Sequence, residues 1–130
     1  MSKIQEFLKN QEKSVMSTVE GKTIIDYFNN NAEEVPEYPA LNTPINSEYT
    51  GWDSVSWSAY RETVHNLASG LIDIGLQLED NAFIVANNVK EHFICDLGIM
   101  HAGAVPSTIY KQLKSGQIEY ISNLLEAKVA

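Results

Sequence analysis

The sequence predicts an α/β domain in which a mostly parallel sheet carries helices on its faces. Two apolar segments of strand length, 82–86 and 105–110, alternate with amphipathic segments of helical length. Strands separated by helices in this way pair in parallel through right-handed crossovers. The 130 residues suffice for one core, and the 44% hydrophobic content argues against disorder.

The N-terminal third predicts one helix and one short extended piece. Thr23 is the expected N-cap of the helix, which carries Tyr27 and Phe28 among its apolar residues. Prolines between residues 36 and 44 then break the chain, and Ala40–Leu41 is expected to be extended. Residues 1–22 are interpreted as an N-terminal helical extension.

The next segment predicts a strand followed directly by a helix. Polar and apolar residues alternate over Ser54–Ser58, which is typical of a half-buried strand with Val55 and Trp57 on one face. Ser58 is the predicted N-cap of the helix and Gly75 its C-terminal stop. Its buried face should hold residues at helical spacing, namely Val64, Leu67, Ala68, Leu71 and Ile72.

A second strand and helix follow. Ala82–Ala86 is a continuous apolar run between polar residues, which is typical of a strand buried on both faces. The helix is predicted to open at Asn88, with Glu91 completing a capping box, and to end near Gly103. Its expected apolar positions are Phe93, Ile94, Leu97, Met100 and Ala104.

The last third predicts one more strand and helix. Val105–Tyr110 is the strand, and Pro106 is tolerated there only near its start or at a sheet edge. Ser115 is the predicted cap of a helix that carries Ile118, Ile121, Leu124 and Leu125. Lys128–Ala130 falls where the next buried strand should begin, so the chain is expected to stop within an element.

Composition narrows the partners and the compartment. The formal charge of -8, with no run of Lys or Arg, disfavours binding to nucleic acid. The single Cys95 cannot form an internal disulfide, which fits a reducing compartment and makes the cytoplasm the default location. No secretory signal or stretch of transmembrane length is present in the sequence.

Phosphate-binding loops are not apparent. The only two glycine pairs at the Walker spacing end at Gly75 and Gly103, and Leu76 and Ala104 follow them where a phosphate loop needs Lys. No strand leads into the three closely spaced glycines of a dinucleotide site. The general rule for parallel sheets places ligands at the carboxyl ends of strands, here near Asn87–Asn88 and Tyr110–Lys111.

Several side chains could carry chemistry by residue type alone. His92, Cys95 and Asp96 share one predicted helical face, as metal ligands can, but no second cluster of His or Cys completes a tetrahedral site. Cys95 also lacks the base that activates a nucleophile. His65 and His101 lie on or beside apolar helix faces, where a structural role is favoured over catalysis.

Two further groups have alternative interpretations. Trp52, Trp57 and Tyr60 could form an aromatic platform, although core and turn positions are favoured. Glu79–Asp80 resembles the acidic pair of a phospho-receiver but precedes its strand, which favours a solvated turn. No residue of this sequence is therefore assigned as catalytic, cofactor-binding or metal-ligating.

The order of these segments carries a family resemblance. Thr23–Phe28 with Pro39–Leu41 looks like an opening helix and "pAL" strand, and Gly51–Tyr60 (GWDSVSWSAY) looks like a Trp-x-x-hydrophobic-Thr-Trp-x-x-Tyr segment. Arg61–Gly75 is similar to an "R..V..LA.GL...G" helix, and Asn87–Tyr110 gives the densest match. Together they resemble the N-terminal part of AMP-forming acyl-CoA synthetases, specifically the long-chain fatty-acid-CoA ligases.

The resemblance implies a two-step ligase. ATP and a fatty acid would form an acyl-adenylate and pyrophosphate with Mg²⁺, and coenzyme A would then attack the activated carbonyl. In that family the catalytic and ATP-binding motifs lie downstream, so ATP, Mg²⁺ and coenzyme A would be bound by the full-length parent and not by this segment.

Residues 23–130 are accordingly expected to be a partial AMP-binding-type α/β domain, truncated at its C-terminus and inactive alone. The missing remainder would supply contacts to fatty acid, ATP and coenzyme A. Homodimerisation of the parent and its peripheral association with a membrane are left open. The alternative is a stand-alone, non-enzymatic α/β module that binds a partner or small ligand.

Overall fold

Helices and short strands alternate along most of the chain. The computed structural model describes residues 2–130. The helices within these residues are α1 (Lys3–Val19), α2 (Ile24–Glu34), α3 (Trp57–Asp73), α4 (Lys90–His101) and α5 (Ser115–Leu125). The strands are β1 (Pro39–Pro44), β2 (Trp52–Ser56), β3 (Asn81–Ile84) and β4 (Val105–Thr108). The predicted α/β class is confirmed.

The parallel part of the fold centres on β3. It pairs with β4 in the register Asn81↔Val105 to Ile84↔Thr108. On its other side, Val129 forms a parallel bridge to Ala82, and the backbone N–H of Phe83 donates to the carbonyl of Val129 at 2.8 Å. The expected extended segment at 128–130 is thus present beside β3. The predicted strand 82–86 is buried on both faces over Ala82–Ile84 but ends there, and Val85 is 48% exposed.

Pro106 occupies the second position of β4. In the described part of the chain β4 pairs with β3 alone, so it is an edge strand there. An edge strand tolerates Pro because the missing N–H can lie on the unpaired side. The prediction for Pro106 is confirmed.

The strands β1 and β2 form a separate antiparallel pair, with Pro44 opposite Trp52. The predicted strand 54–58 is wrong at its end, because Trp57 is the first residue of α3. Ser56, and not the predicted Ser58, is the N-cap: its Oγ accepts a hydrogen bond from the backbone N–H of Ala59 at 3.3 Å. This bond satisfies a donor of the first helical turn and starts the helix two residues earlier.

The other predicted helix starts were partly right. Thr23 caps α2 through a capping box with Asp26, as predicted. The predicted cap at Asn88 is wrong, since α4 begins after Val89, whose backbone N–H donates to the carbonyl of Asn87 at 3.0 Å. For α5, the predicted cap at Ser115 is wrong by one residue: Lys114 is the N-cap, its backbone N–H donates to the Gln117 side chain at 3.1 Å, and Ser115 is the first helical residue.

The predicted helix stops at Gly75 and Gly103 are confirmed. Both residues adopt positive φ, +102° and +80°. The backbone N–H of Leu76 then donates to the carbonyl of Leu71 at 3.0 Å, five residues back, and Ala104 does the same to Ile99. This arrangement is the Schellman motif, in which glycine adopts the left-handed conformation at least cost.

Two clusters of buried side chains form the core. One lies between the parallel strands and helices α3 and α4, and the other joins α2 to α3 through Phe28, Tyr60 and Val64. The predicted face of α3 is confirmed at its buried positions, but Ile72 is 53% exposed. Ile72 follows the buried Leu71 by one residue, about 100° around the helix, so it turns away from the core.

Helix α1 packs no side chain into this core. All of its residues are exposed, including Ile4, Phe7 and Leu8. The predicted boundary between residues 22 and 23 stays a prediction. None of the helices within residues 2–130 has the combination of length and apolar character needed to cross a membrane.

Candidate functional site

A cleft of about 290 Å³ opens at the carboxyl ends of β3 and β4. It brings together the two loops where parallel-sheet geometry predicts ligands, at Asn87–Asn88 and Tyr110–Lys111. The remaining lining residues come from the same two strand ends and from α4, namely Ala86, His92, Thr108, Ile109 and Gln112. This cleft is the candidate functional site.

A contact between His92 and Thr108 spans the cleft. His92 lies in the first turn of α4, and Thr108 is the last residue of β4. The Nε2 atom of the imidazole is 3.0 Å from the threonine Oγ1, and either group can be the donor, depending on the tautomer. The contact joins the helix that follows β3 to the end of the neighbouring strand.

The polar groups of the cleft are amides, hydroxyls, an imidazole and an ammonium group. The amides belong to Asn87, Asn88 and Gln112, and the cationic side chain is Lys111. None of the described residues that line the cleft is Asp or Glu, although the chain carries a formal charge of -8. An anionic ligand in this cleft therefore meets a cationic side chain and no carboxylate among the described lining residues.

An ion pair fixes the start of α4 beside the cleft. The Nζ atom of Lys90 is 2.6 Å from the Oδ2 atom of Asp53 in β2. This hydrogen bond is the main cause that raises the pKa of Lys90. The antiparallel pair is thereby connected to the loop that carries Asn87 and Asn88.

The structure separates the three side chains considered as metal ligands. His92 faces Thr108, Cys95 packs against the core cluster beside β3, and Asp96 lines a different cavity between α2, α3 and α4. Within residues 2–130, no group of three or more His, Cys, Asp and Glu side chains is placed to hold a metal ion. Burial, and then the charge of Glu91, raises the pKa of the Cys95 thiol.

The other two histidines form a pair between the middle of α3 and the C-terminal end of α4. The Nδ1 atom of His101 is 2.8 Å from the carbonyl of Leu97, and the ring packs edge-on against Phe28. The ring centroids of His65 and His101 are 5.2 Å apart. Burial, followed by the charge of His101, lowers the pKa of His65. The geometry fits the structural role favoured for His101, whereas His65 is exposed and does not fit it.

The proposed aromatic platform divides in two. Trp57 and Tyr60 pack around Phe28, which supports the core interpretation for both. Trp52 lies elsewhere, 56% exposed and 6.2 Å from the ring of Tyr49. Sequence reasoning treated Phe28 only as part of an apolar helix face and missed that it unites these rings.

The acidic pair before β3 forms a turn. The carboxylate of Asp80 accepts from the backbone N–H of Gln77 at 2.8 Å, and Glu79 has a positive φ of 66°. The backbone N–H of Glu79 also donates to the carbonyl of Gly103. These bonds support the turn interpretation.

The sequence of this chain matches a known family of enzymes. A family described as AMP-binding enzyme matches residues 28–130, which is most of the chain. The chain belongs to this family of AMP-binding enzymes. The match confirms the family resemblance that was inferred from the collinear segments between residues 23 and 110.

Two curated relatives show the range of ligases that the chain resembles. It is 28% identical over 122 residues to long-chain-fatty-acid–CoA ligase heimdall of Drosophila melanogaster, covering 92% of this chain and 18% of that protein. It is also 28% identical over 109 residues to the vibriobactin-specific 2,3-dihydroxybenzoate-AMP ligase of Vibrio cholerae, covering 82% and 18%. The chain thus spans less than a fifth of the length of either enzyme.

Solved structures confirm the fold at lower identity. The N-terminal subdomain of NpsA from Klebsiella oxytoca, in complex with 3-hydroxybenzoyl-AMSN, superposes with a TM-score of 0.71 at 20% identity, covering 82% of this chain and 26% of that one. The fatty acid AMP ligase of Legionella pneumophila gives 0.72 at 15%, covering 81% and 18%. The chain therefore has the fold of the N-terminal subdomain of adenylate-forming enzymes.

Proposed function

We propose that this AMP-binding family member is the N-terminal part of a long-chain fatty-acid–CoA ligase. The whole enzyme would activate a fatty acid as an acyl-adenylate and transfer the acyl group to coenzyme A. The observation that carries the proposal is the alignment with the heimdall ligase, which extends over 92% of this chain. The alternative is a stand-alone α/β binding module.

The cleft at the ends of β3 and β4 is this chain's contribution to ligand binding. Its amide and hydroxyl groups can hydrogen-bond a polar ligand, and Lys111 supplies a positive charge. The His92–Thr108 contact would hold the two loops at a fixed separation while a ligand binds. These residues bind and orient in the proposed enzyme, and no chemical step is assigned to them.

The described lining residues of the cleft do not fit Mg²⁺ or a nucleotide triphosphate. Mg²⁺ is bound in proteins mainly through carboxylates, and this cleft contains none. The glycines also lack the phosphate-loop pattern that wraps a triphosphate. We therefore assign the binding of ATP, Mg²⁺ and coenzyme A to segments of the parent enzyme beyond these residues.

The location of the protein forms part of the same proposal. A lone cysteine without a disulfide partner fits the reducing cytoplasm, where fatty acid, ATP and coenzyme A meet. Peripheral contact with a membrane and homodimerisation belong to the proposed parent. Fractionation of cells that express the tagged parent would test the location, and recovery in a secreted fraction would contradict it.

The decisive experiment has a genetic and an enzymatic arm. The gene is read downstream of codon 130, and the complete product is assayed for fatty-acid-dependent ATP–pyrophosphate exchange and acyl-CoA formation. A frame that continues into a Ser/Thr/Gly-rich loop ending in Lys, with exchange by the product but none by residues 1–130, supports the proposal. A stop codon after residue 130 favours the stand-alone module. Exchange by residues 1–130 alone contradicts the assignment of ATP, Mg²⁺ and coenzyme A binding to other segments of the parent enzyme.

A further inference from the structure

Two imidazole rings meet where α3 packs against α4. The ring centroids of His65 and His101 are 5.2 Å apart, at an interplanar angle of 53°. His65 lies in the middle of α3 and is exposed, whereas His101 is the last residue of α4 and is half-buried. The same helix α4 carries His92 of the candidate cleft, so a movement of α4 would displace a residue of that cleft.

The hydrogen bonds of His101 leave one ring nitrogen without a partner. Its Nδ1 atom is 2.8 Å from the carbonyl of Leu97, and this nitrogen carries the hydrogen because a carbonyl only accepts. The Nε2 atom is buried and has no hydrogen-bond partner among the described residues. A second proton on this ring would therefore create a buried N–H without an acceptor, which is unfavourable.

Positive groups surround His65. Arg61 lies one helical turn before it in α3, and the ring of His101 faces it from α4. Burial, followed by the charges of His101 and Arg61, lowers the pKa of His65. In the described part of the chain, neither His65 nor His101 forms a salt bridge with a carboxylate.

The carboxylates of the neighbouring helices contact other groups. In α2, the Oε1 atom of Glu33 is 3.7 Å from the Nη1 atom of Arg61, and the ring that packs on His101 is the uncharged Phe28. In α4, Asp96 lines a cavity whose described lining includes neither histidine. A second positive charge at the histidine pair therefore has no carboxylate partner among these groups of α2, α3 and α4.

We propose that His65 and His101 make the packing of α3 against α4 sensitive to pH. The folded chain accepts one proton at the pair, and a second proton drives the rings apart, because two imidazolium groups at this distance repel each other. The unfolded chain accepts both protons near pH 6.5, the ordinary pKa of histidine. Protons thus favour the unfolded chain, and the contact loses stability as pH falls through this range. This device is separate from the proposed ligase activity and does not depend on it.

Urea unfolding of the full chain at pH 7.5 and at pH 5.5 tests the proposal, because carboxylates stay largely ionised in this range. One proton that only the unfolded chain accepts should raise the unfolding equilibrium constant about tenfold between the two pH values. His65→Gln leaves a single imidazole at the contact and should remove most of this change. His92→Gln removes a histidine outside the pair and should retain it.

An NMR titration of the wild-type chain follows the pair directly through the Cε1–H signals of its three histidines. We expect the signals of His65 and His101 to shift in two coupled steps. Independent titration of the two rings overturns the proposal, and this outcome needs no variant to fold. An unfolding constant that is the same at both pH values, or a change that His65→Gln retains in full, also overturns it.

Discussion

The Nε2 atom of His92 lies 3.0 Å from the Oγ1 atom of Thr108, across the carboxyl ends of two parallel strands. The two residues are 16 positions apart in sequence and meet only because β3 and β4 pair in register. This polar contact therefore joins the helix that follows β3 to the end of β4, in addition to the backbone pairing of the two strands.

Replacing Thr108 tests this contact. Thr108→Val keeps the branched shape and removes the hydroxyl, so we expect the free energy of unfolding to fall by about 0.5–1.5 kcal/mol, the net value of one hydrogen bond. Urea denaturation measures the change. Thr108→Ser keeps the hydroxyl and should retain most of the stability that the contact supplies. A larger loss in Thr108→Ser than in Thr108→Val would show that the methyl group, and not the hydrogen bond, matters.

Gly98 sets the approach of α3 to α4. A Cβ atom at this position would lie 2.6 Å from Cδ2 and 2.9 Å from Cγ of Leu67. We expect Gly98→Ala to destabilise the fold by about 1–3 kcal/mol, because the added methyl group overpacks the helix contact. The measurement is thermal or urea unfolding of the purified variant.

A matched control separates packing from helix propensity. Gly70 also lies inside a helix, but a Cβ atom there would meet nothing within 4 Å. Gly70→Ala should therefore stabilise the chain by about 0.5–1 kcal/mol through lost unfolded-state freedom. Leu67→Ala removes the side chain that the new methyl group of Gly98→Ala would meet. The double variant should therefore lose less stability than the sum of the losses of the two single variants. Additive losses would place the strain elsewhere.

The order of the elements was predictable because each rests on a local pattern. The apolar run before Asn87 favours a buried strand, and the glycines at 75 and 103 favour the positive φ that ends a helix. Helix starts were less predictable, since Ser56 and Ser58 are chemically alike and only the fold decides which hydroxyl meets an unpaired N–H. The exposure of a side chain also depends on the fold and not on residue type alone. Phe93 has an apolar side chain yet is 50% exposed, where it lines a cavity.

The position of the candidate site was predictable, but its contacts were not. Parallel pairing alone places Asn87–Asn88 and Tyr110–Lys111 at one sheet edge. The His92–Thr108 contact also depends on the strand register, which no local pattern specifies. The sequence grouped His92 with Asp96 by helical spacing, whereas the fold directs them to a cleft and to an aromatic cavity.

The reactivity of Cys95 should follow its raised pKa. Burial, followed by the nearby charge of Glu91, disfavours the thiolate. At pH 7.5 we therefore expect Cys95 to react more slowly with Ellman's reagent than N-acetylcysteine does, because the thiolate is the nucleophile. The rate of Glu91→Gln should be somewhat higher, as one source of repulsion is removed. A rate above that of the free thiol at this pH would contradict the raised pKa.

The cap of α2 should make stability depend on pH in the acid range. The Oδ2 atom of Asp26 accepts from the backbone N–H and the hydroxyl of Thr23, at 2.6 and 2.8 Å. These bonds, with the backbone bond as the largest cause, lower the pKa of Asp26 below its ordinary value of 3.8. A carboxylate whose pKa is depressed by folding contributes stability above the unfolded-state pKa, and loses it as pH falls through the folded-state value.

Urea unfolding between pH 6 and pH 2.5 tests this sign. Asp26→Asn should be less stable than the wild type at pH 6, and the difference should shrink as pH falls below 3.8, because the wild-type carboxylate is then protonated too. Asp73→Asn removes the same charge from α3, far along the chain from the α2 cap, and controls for net charge. A difference between Asp26→Asn and the wild type that stays constant over this range would mean that the cap stabilises α2 without the ionised carboxylate.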